Sequence, residues 1–236
     1  MSCGVAKNML TAHRPLAVVF DVNETLVDLS SLSPLFDELR LPPHALEWWF
    51  ATLLRDGFAL AATGDIASFG TLAAVALDEI LALTGASPSP DAVGAIMGAF
   101  AELPMHDDVA PAFERLTEVG IPIIALTNGN ADATRGLLER AALTALVSDV
   151  YSVNAVAHWK PRLEAYQYVA DETGVESSAI AMVAVHPWDL HGAAAAGFTT
   201  AWLNRGGRVF PEIFHQPHVH APNLGDLVER LLALPR

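Results

Sequence analysis

Asp21 stands directly after a short apolar run, in Leu16-Ala-Val-Val-Phe20-Asp21-Val-Asn-Glu-Thr25. Such a run of β-branched and aromatic residues reads as a buried strand, and open α/β sheets bind their ligands at the C-terminal ends of strands. A carboxylate there can act as a nucleophile, forming an ester or acyl phosphate that water later hydrolyses. Taken alone, Asp21 reads equally well as a turn or helix-capping aspartate. Further polar segments follow in chain order. Thr127-Asn128-Gly129 combines a hydroxyl, an amide and the free N–H groups of a following helix. That set suits an anion or a developing negative charge, or else a plain helix cap. His158-Trp159-Lys160-Pro161 sets Lys160 beside a proline suited to the first turn of a helix. An ammonium there can pair with Asp21 and keep it ionised, although an isolated lysine is more often a surface group. Ala184-Val185-His186-Pro187-Trp188-Asp189 supplies an aspartate able to orient Lys160, activate a water or bind a metal. Singly, Asp189 reads as a helix cap and His186 as a hydrogen-bonded structural histidine. Polar strand ends recurring in order make one shared rim the better reading.

The elements that must position these residues are legible as four apolar runs, Leu16–Phe20, Ile121–Leu126, Ala179–Val185 and Thr199–Leu203. Helical patterns lie between them, at Val109–Val119, Ala131–Ala141, Arg162–Thr173 and Leu190–Ala196. Strand alternating with helix predicts a Rossmann-like α/β fold, a parallel sheet with helices on both faces. The block from Ser31 to Leu103 differs. It has almost no strand-like run and reads as about four helices, broken at Leu41-Pro-Pro43, Thr63-Gly64 and Gly85-Ala-Ser-Pro-Ser-Pro90. Inserted after the first strand, it would lie over the C-terminal edge of the sheet, a position suited to a lid over Asp21. The expected organisation is a core of residues 14–30 and 104–236 with a helical cap of residues 31–103.

The chain has 236 residues, 52% of them hydrophobic, and a net charge of -14. This is enough to bury a sizeable core, and with no Lys/Arg cluster it argues against nucleic acid or an anionic membrane as partner. The single Cys3 excludes a disulfide framework or thiolate metal site. No apolar run approaches the roughly 20 residues needed to span a bilayer. The first fifteen residues, with Lys7 and Arg14, lack the long apolar core of a signal peptide. The expectation is a cytoplasmic enzyme.

Taken together, the segments Asp21–Thr25, Thr127-Asn128, Lys160 and His186–Asp189 resemble the four motifs of the haloacid dehalogenase superfamily, across nearly the whole chain from Leu16 onward. Within it the chain is most similar to the L-2-haloacid dehalogenase branch. That branch inserts a helical cap after the first motif, carries Lys-Pro followed shortly by Tyr, and has Trp-Asp in the fourth motif. Here these are Ser31–Leu103, Lys160-Pro161 with Tyr166, and Trp188-Asp189. The run Ala201-Trp-Leu-Asn-Arg205, with Gly207 and Val209-Phe210, resembles the closing segment of the branch. The resemblance implies a metal-independent, cofactor-free hydrolase of short 2-haloacids. Asp21 would displace halide with inversion, and water activated near Asp189 would release the 2-hydroxyacid. Lys160 and Thr25 would complete the catalytic set, with Lys160 offsetting the charge of Asp21. Thr127, Asn128, Tyr166, His186, Trp188, Trp49, Phe50, Val22 and Asn23 would line the substrate. The partner would be a small carboxylic acid, and the assembly a homodimer through apolar cap helices carrying Trp48, Trp49, Phe58 and Phe69.

Several positions depart from the branch. Superfamily phosphatases carry a second aspartate two residues after the nucleophile to protonate the leaving alcohol. Asn23 stands there, and an amide cannot serve as that acid, whereas a halide leaving group needs no proton. The dehalogenases more usually carry Tyr at this place. The cap arginine that pairs with substrate is replaced by Phe50, with Arg55 a substitute only if the cap helix packs differently. The usual Ser and Asn of the fourth motif are Ala184 and His186. Losing an anion clamp points to a different or larger substrate, or to poor haloacid turnover. The alternatives are a magnesium-dependent phosphatase, with Mg2+ on Asp21, the Asn23 carbonyl and Asp189, and a catalytically weak protein that keeps the fold.

Overall fold

The computed structural model describes residues 12–86 and 90–236. Cys3, Lys7 and residues 87–89 of the expected Gly85–Pro90 break lie outside the described residues. Strands β1 (Ala17–Phe20), β2 (Ile123–Thr127), β3 (Asp149–Ser152), β4 (Ile180–Ala184), β5 (Thr199–Leu203) and β6 (Val219–Ala221) form one sheet. It is parallel throughout, in the order β3-β2-β1-β4-β5-β6. Between β1 and β2 come helices α1 (Ser33–Glu38), α2 (Ala45–Thr63), α3 (Phe69–Thr84), α4 (Pro90–Phe100) and α5 (Val109–Glu118). The later helices are α6 (Ala131–Arg140), α7 (Leu163–Thr173), α8 (Pro187–Ala195) and α9 (Leu224–Leu232).

Period-two alternation explains why the strands read as unbroken apolar runs. In β1, Ala17 and Val19 face one layer with Tyr166, Val169 and Leu190, while Val18 and Phe20 face another with Phe113, Leu116 and Leu227. Both faces are covered by helices, so every β1 side chain is buried. Chain order runs outward from β1 in both directions, which puts the switch point between β1 and β4 and opens a crevice at their C-terminal ends. Phe20 is in register with Ala125 of β2 and Val183 of β4, so Asp21 emerges level with the ends of both neighbours.

Helices α1 to α4 form the insertion. Their apolar stripes meet one another: Trp49 and Leu53 of α2 and Ala73, Leu77 and Ile80 of α3 are all buried in one cluster. Burying such large side chains contributes about 1.5–3 kcal/mol each. The Trp49 indole N–H donates to the Ala73 carbonyl at 2.8 Å, tying α2 to α3. Helix α2 ends at Gly64, whose φ of 82° is open to glycine without strain. Both crossings between core and insertion run side by side. Asp28 N–H donates to Pro104 O at 2.8 Å, His106 N–H donates to Leu26 O at 2.8 Å, and Val27 bridges Met105 in antiparallel fashion. The core docks on α2 through Trp159, whose ring fills the space above Gly57; a Cβ there would stand 2.2 Å from it.

Several expectations are corrected. Strands β3 and β6 lie on the sheet edges, and neither they nor α9 were among the elements read from the sequence. Pro161 does not open a helix: Arg162 is the extended cap and α7 starts at Leu163. Of the four aromatics expected to carry an apolar dimer surface, three pack within the chain. Trp49 and Phe69 are buried, Phe58 packs on Trp188 with ring centroids 4.9 Å apart, and Trp48 remains exposed. Among the described residues, no helix is long and apolar enough to cross a membrane.

Candidate active site

The chain leaving β1 turns back at once. Leu26 N–H donates to Val22 O at 2.9 Å, closing a turn in which Glu24 adopts φ 59°. A non-glycine residue in this left-handed region costs about 1–2 kcal/mol. The turn brings the Thr25 hydroxyl onto Asp21 Oδ2 at 2.8 Å, while the same Oγ1 accepts the Val185 N–H at 3.1 Å. Arg205 secures the turn from outside, donating to Thr25 O at 3.0 Å and forking onto both oxygens of Asp108.

Lys160 is not a surface lysine. Its side chain is 1% exposed, and its ammonium donates to Asp21 Oδ1 at 2.8 Å, Asp189 Oδ2 at 2.8 Å and Leu126 O at 3.0 Å. Three donors meet three acceptors, as burial of an ammonium requires. Asn128 fixes the backbone beneath it: Lys160 N–H donates to Asn128 Oδ1 at 2.9 Å, and the Asn128 amide donates back to Lys160 O at 3.4 Å. Asp189, in the first turn of α8, receives Tyr166 Oη on Oδ1 at 2.6 Å. Helix α8 comes this close to α7 because Gly192 has no Cβ; one would stand 2.7 Å from both Pro161 and Tyr166.

His186, half-buried, spans two carboxylates. Its Nδ1 lies 3.1 Å from Asp21 Oδ2 and its Nε2 lies 2.8 Å from Glu24 Oε2. Phe50 of α2 stacks on it at 6.1 Å and Trp188 at 5.1 Å, so the insertion meets the core at this ring.

These contacts set the charges. Burial opposes ionisation of Asp21, yet the Lys160 ammonium and then His186 hold its carboxyl well below the usual carboxylate range. Burial, reinforced by the nearby Asp21 charge, pushes Asp189 up despite Lys160. Burial also works against the Lys160 cation, but the two aspartates raise it above the ordinary lysine value. His186 is disfavoured as a cation by burial, and its hydrogen bonds to Asp21 and Glu24 more than offset this, pushing it up to about 9. Burial raises the Tyr166 phenol well above its ordinary value, and the Asp189 charge adds to that. Tyr166 is therefore a neutral donor.

The fold thus assembles Asp21, Thr25, Lys160, Tyr166, His186 and Asp189 in one hydrogen-bonded network, with Phe50 and Trp188 against it. The other expected site residues lie outside this network or beneath it. Trp49 is buried inside the insertion with its N–H spent on Ala73, and the Val22 side chain packs into the core layer of Phe20. Thr127 Oγ1 accepts the Gly129 N–H at 2.8 Å, and Asn128 is engaged by the Lys160 backbone, so both shape the floor of the site. Asn23 is half-buried in the turn and bridges Val27. Arg55 does not replace the missing arginine: it points outward, 57% exposed, onto Asp56 and Glu79. Glu24, Asp108 and the Leu126 carbonyl were not singled out in the sequence. Glu24 sat inside the quoted first motif, the only signal that could have found it.

A magnesium ion does not fit this donor set. The gap between Asp21 and Asp189 is bridged by the Lys160 ammonium at 2.8 Å on each side, and among the described residues no group of three His, Cys, Asp or Glu side chains could hold a metal.

Comparison with known proteins gives the same architecture. A family model described as haloacid dehalogenase-like hydrolase matches residues 15–197. A (S)-2-haloacid dehalogenase 1 from Pseudomonas sp. (strain CBS-3) is 28% identical over 220 residues, 92% of this chain and 97% of that protein. The crystal structure of an L-2-haloacid dehalogenase superposes with a TM-score of 0.88 at 27% identity, covering 94% of this chain and 100% of the other. A dehalogenase crystallised with an intermediate complex superposes with a TM-score of 0.87 at 25% identity, covering 94% of this chain and 99% of the other.

Proposed function

The chain belongs to the haloacid dehalogenase-like hydrolases, and on that premise we propose that it hydrolyses the carbon–halogen bond of a short 2-haloacid through an aspartyl ester on Asp21. The observation that carries this is the Lys160 ammonium, seated between Asp21 and Asp189 at 2.8 Å from each. It keeps Asp21 ionised and unprotonated, as a nucleophile must be, without a metal. Asn23 supplies no acid, and a departing halide needs none.

In the first step an Asp21 oxygen attacks C2 from the side opposite the halide. The C–halogen bond breaks with inversion, the halide leaves with its electron pair, and the ester forms. In the second step water adds to the Asp21 carboxyl carbon and gives a proton to Asp189, which burial has made the stronger base of the two carboxylates. The tetrahedral species expels the hydroxyacid oxygen, which takes that proton back. The new Asp21 carboxyl then ionises beside Lys160 and its proton leaves to solvent. Thr127, whose oxygen accepts the Gly129 N–H, keeps its O–H for the substrate carboxylate. Phe50 and Trp188 exclude water from the reacting carbon.

Residues 31–103 act as the cap over a core of 14–30 and 104–236. A homodimer and a cytoplasmic location belong to the same proposal. Dimerisation is checked by light scattering, which should give twice the 25.1 kDa chain mass.

The reaction is tested by incubating the enzyme with 2-chloropropionate and with small phosphomonoesters, with and without EDTA. Chloride release unaffected by EDTA is expected. Magnesium-dependent phosphate release would sink the proposal. In oxygen-18 water a single turnover should label Asp21 and leave the first product unlabelled. Asp21→Asn should lower turnover by at least about 10^3-fold with the fold intact.

A further inference from the structure

Attack on C2 and departure of the halide are in line, so the halide leaves on the side away from Asp21 and takes a full negative charge there. That side belongs to the insertion, which meets the core where Phe50 stacks on His186 at 6.1 Å. The arginine that the resemblance would place there is Phe50, and Arg55 points outward. From Phe50 the wall runs to Phe69, with ring centroids 6.5 Å apart, and from Phe69 to Trp159, stacked at 5.9 Å. These are all aromatic faces, and an anion forming against them is poorly solvated unless a donor stands among them.

We propose that the indole N–H of Trp159 is that donor and receives the departing halide. This rests on the reaction proposed above. Trp159 is 2% exposed, and its Nε1 is buried with no hydrogen-bond partner. Trp49 and Trp202, by contrast, donate to Ala73 O at 2.8 Å and Val185 O at 3.1 Å. Among the described residues, the other buried side-chain nitrogen without a partner is Arg205 Nε, in a guanidinium already engaged by Asp108 and Thr25 O. Buried donors are nearly always paired, so an orphan N–H asks for a specific acceptor. The ring is not free to turn and find one. Its Cζ3, Cε3 and Cη2 atoms stand 2.2, 2.6 and 2.8 Å from where a Gly57 Cβ would be, and Phe69 lies within 16° of parallel to it. Nε1 is on the opposite edge of the indole from those carbons. Trp159 is also joined directly to Lys160, whose ammonium holds Asp21 at 2.8 Å.

In ester formation the electron pair of the C2–halogen bond passes to the halogen, and the ion accepts the Trp159 N–H without any proton changing hands. The donor is fixed in place before the charge develops, so no reorganisation is needed at that moment. A neutral N–H also holds an anion less tightly than a guanidinium and lets it go to solvent. Its contribution falls on the first step alone, because the halide has gone before water adds to the ester. It falls unequally on the halogens, because chloride accepts a stronger hydrogen bond than bromide. Trp159 is thereby a catalytic residue for carbon–halogen cleavage.

The test is rapid-quench single turnover of wild type and Trp159→Phe with 2-chloropropionate and 2-bromopropionate, following halide release and the mass of the Asp21 adduct. Trp159→Phe should slow chloride release about 10–10^2-fold, bromide release by a smaller factor, and leave adduct hydrolysis within about 3-fold of wild type. Equal slowing for the two halides, or slowing confined to adduct hydrolysis, would overturn the proposal. A second measurement leaves position 159 intact. In Asp21→Asn, which forms no ester, titration with sodium chloride should shift the Trp159 indole N–H resonance in a proton–nitrogen correlation spectrum. A resonance that stays in place would overturn the role of Trp159 even if Trp159→Phe fails to fold. A wild type that releases no halide and forms no adduct would instead overturn the reaction itself.

Discussion

Tyr166 donates to Asp189 Oδ1 at 2.6 Å, on the oxygen that Lys160 does not hold. The carboxylate is gripped at both ends by donors of different kinds, one neutral and one charged. This fixes its plane while burial raises its basicity. In the reaction proposed above, such a group is placed to take a proton from water.

Replacing it with an amide separates the two chemical steps. Asp189→Asn should slow ester hydrolysis about 10^2–10^4-fold, the usual worth of a general base, and affect ester formation less. Intact-protein mass spectrometry after quenching should show the adduct on Asp21 accumulating. An adduct that never exceeds wild-type levels while turnover falls would move the role of Asp189 to the first step.

Lys160→Met removes the cation and leaves two carboxylates buried together. Stripping one partner from a buried ionic cluster costs about 3–5 kcal/mol. Denaturant unfolding at pH 7 should read a loss of that size, and the loss should shrink as pH falls, because the stranded carboxylates then bind a proton. Turnover should be abolished at every pH.

His186 makes wild-type stability fall on the alkaline side. Its value rises from 6.5 to about 9 on folding. The stabilisation is therefore fully present below pH 6.5 and disappears as pH climbs through 9. Linkage sets its size at about 3 kcal/mol. Unfolding free energies at pH 6 and pH 9.5 should differ by roughly this amount in the wild type and converge in His186→Asn.

Gly192→Ala probes the contact that draws α8 onto α7. A Cβ would meet the Pro161 carbonyl, a backbone group that cannot swing aside, at 2.7 Å. Overpacking of this kind costs about 1–3 kcal/mol. Because the same contact sets the distance from Tyr166 to Asp189, kcat should fall while KM changes little. A variant with normal kcat would show that the spacing of these helices is not critical.

The central strands and three of the polar rim segments, at Asp21, Thr127 and His186–Asp189, were legible because full burial writes a continuous apolar run and each of these runs ended in a polar group. The edge strands Asp149–Ser152 and Val219–Ala221 were not, since they are short and each carries polar or partly exposed residues. Lys160 illustrates the limit within the site. Nothing local distinguishes a buried lysine from a solvated one; its acceptors come from Asp21, Leu126 and Asp189, and the nearest is 29 residues away. Trp49 was misplaced for the converse reason. Its neighbour Phe50 meets His186, but one residue along a helix turns the side chain about 100°, here into the insertion's own core. Glu24 was overlooked because its value lies in a backbone conformation that composition does not announce.

The paired crossings at Val27-Asp28 and Pro104–His106 give the molecule a seam. The chain departs for the insertion and returns within one hydrogen bond's reach, so the ends of the core at this point are already joined without the helices between them. A few glycines would span Asp28 to Pro104 and leave the sheet order unchanged, and a replacement segment would have to cover Trp159 and His186 as Gly57, Phe69 and Phe50 now do. The insertion is in this sense an exchangeable part. Grafting a different helical segment onto the same seam would redesign what reaches Asp21 while the machinery below it stayed the same, a route by which one core can acquire new substrates without relearning its chemistry.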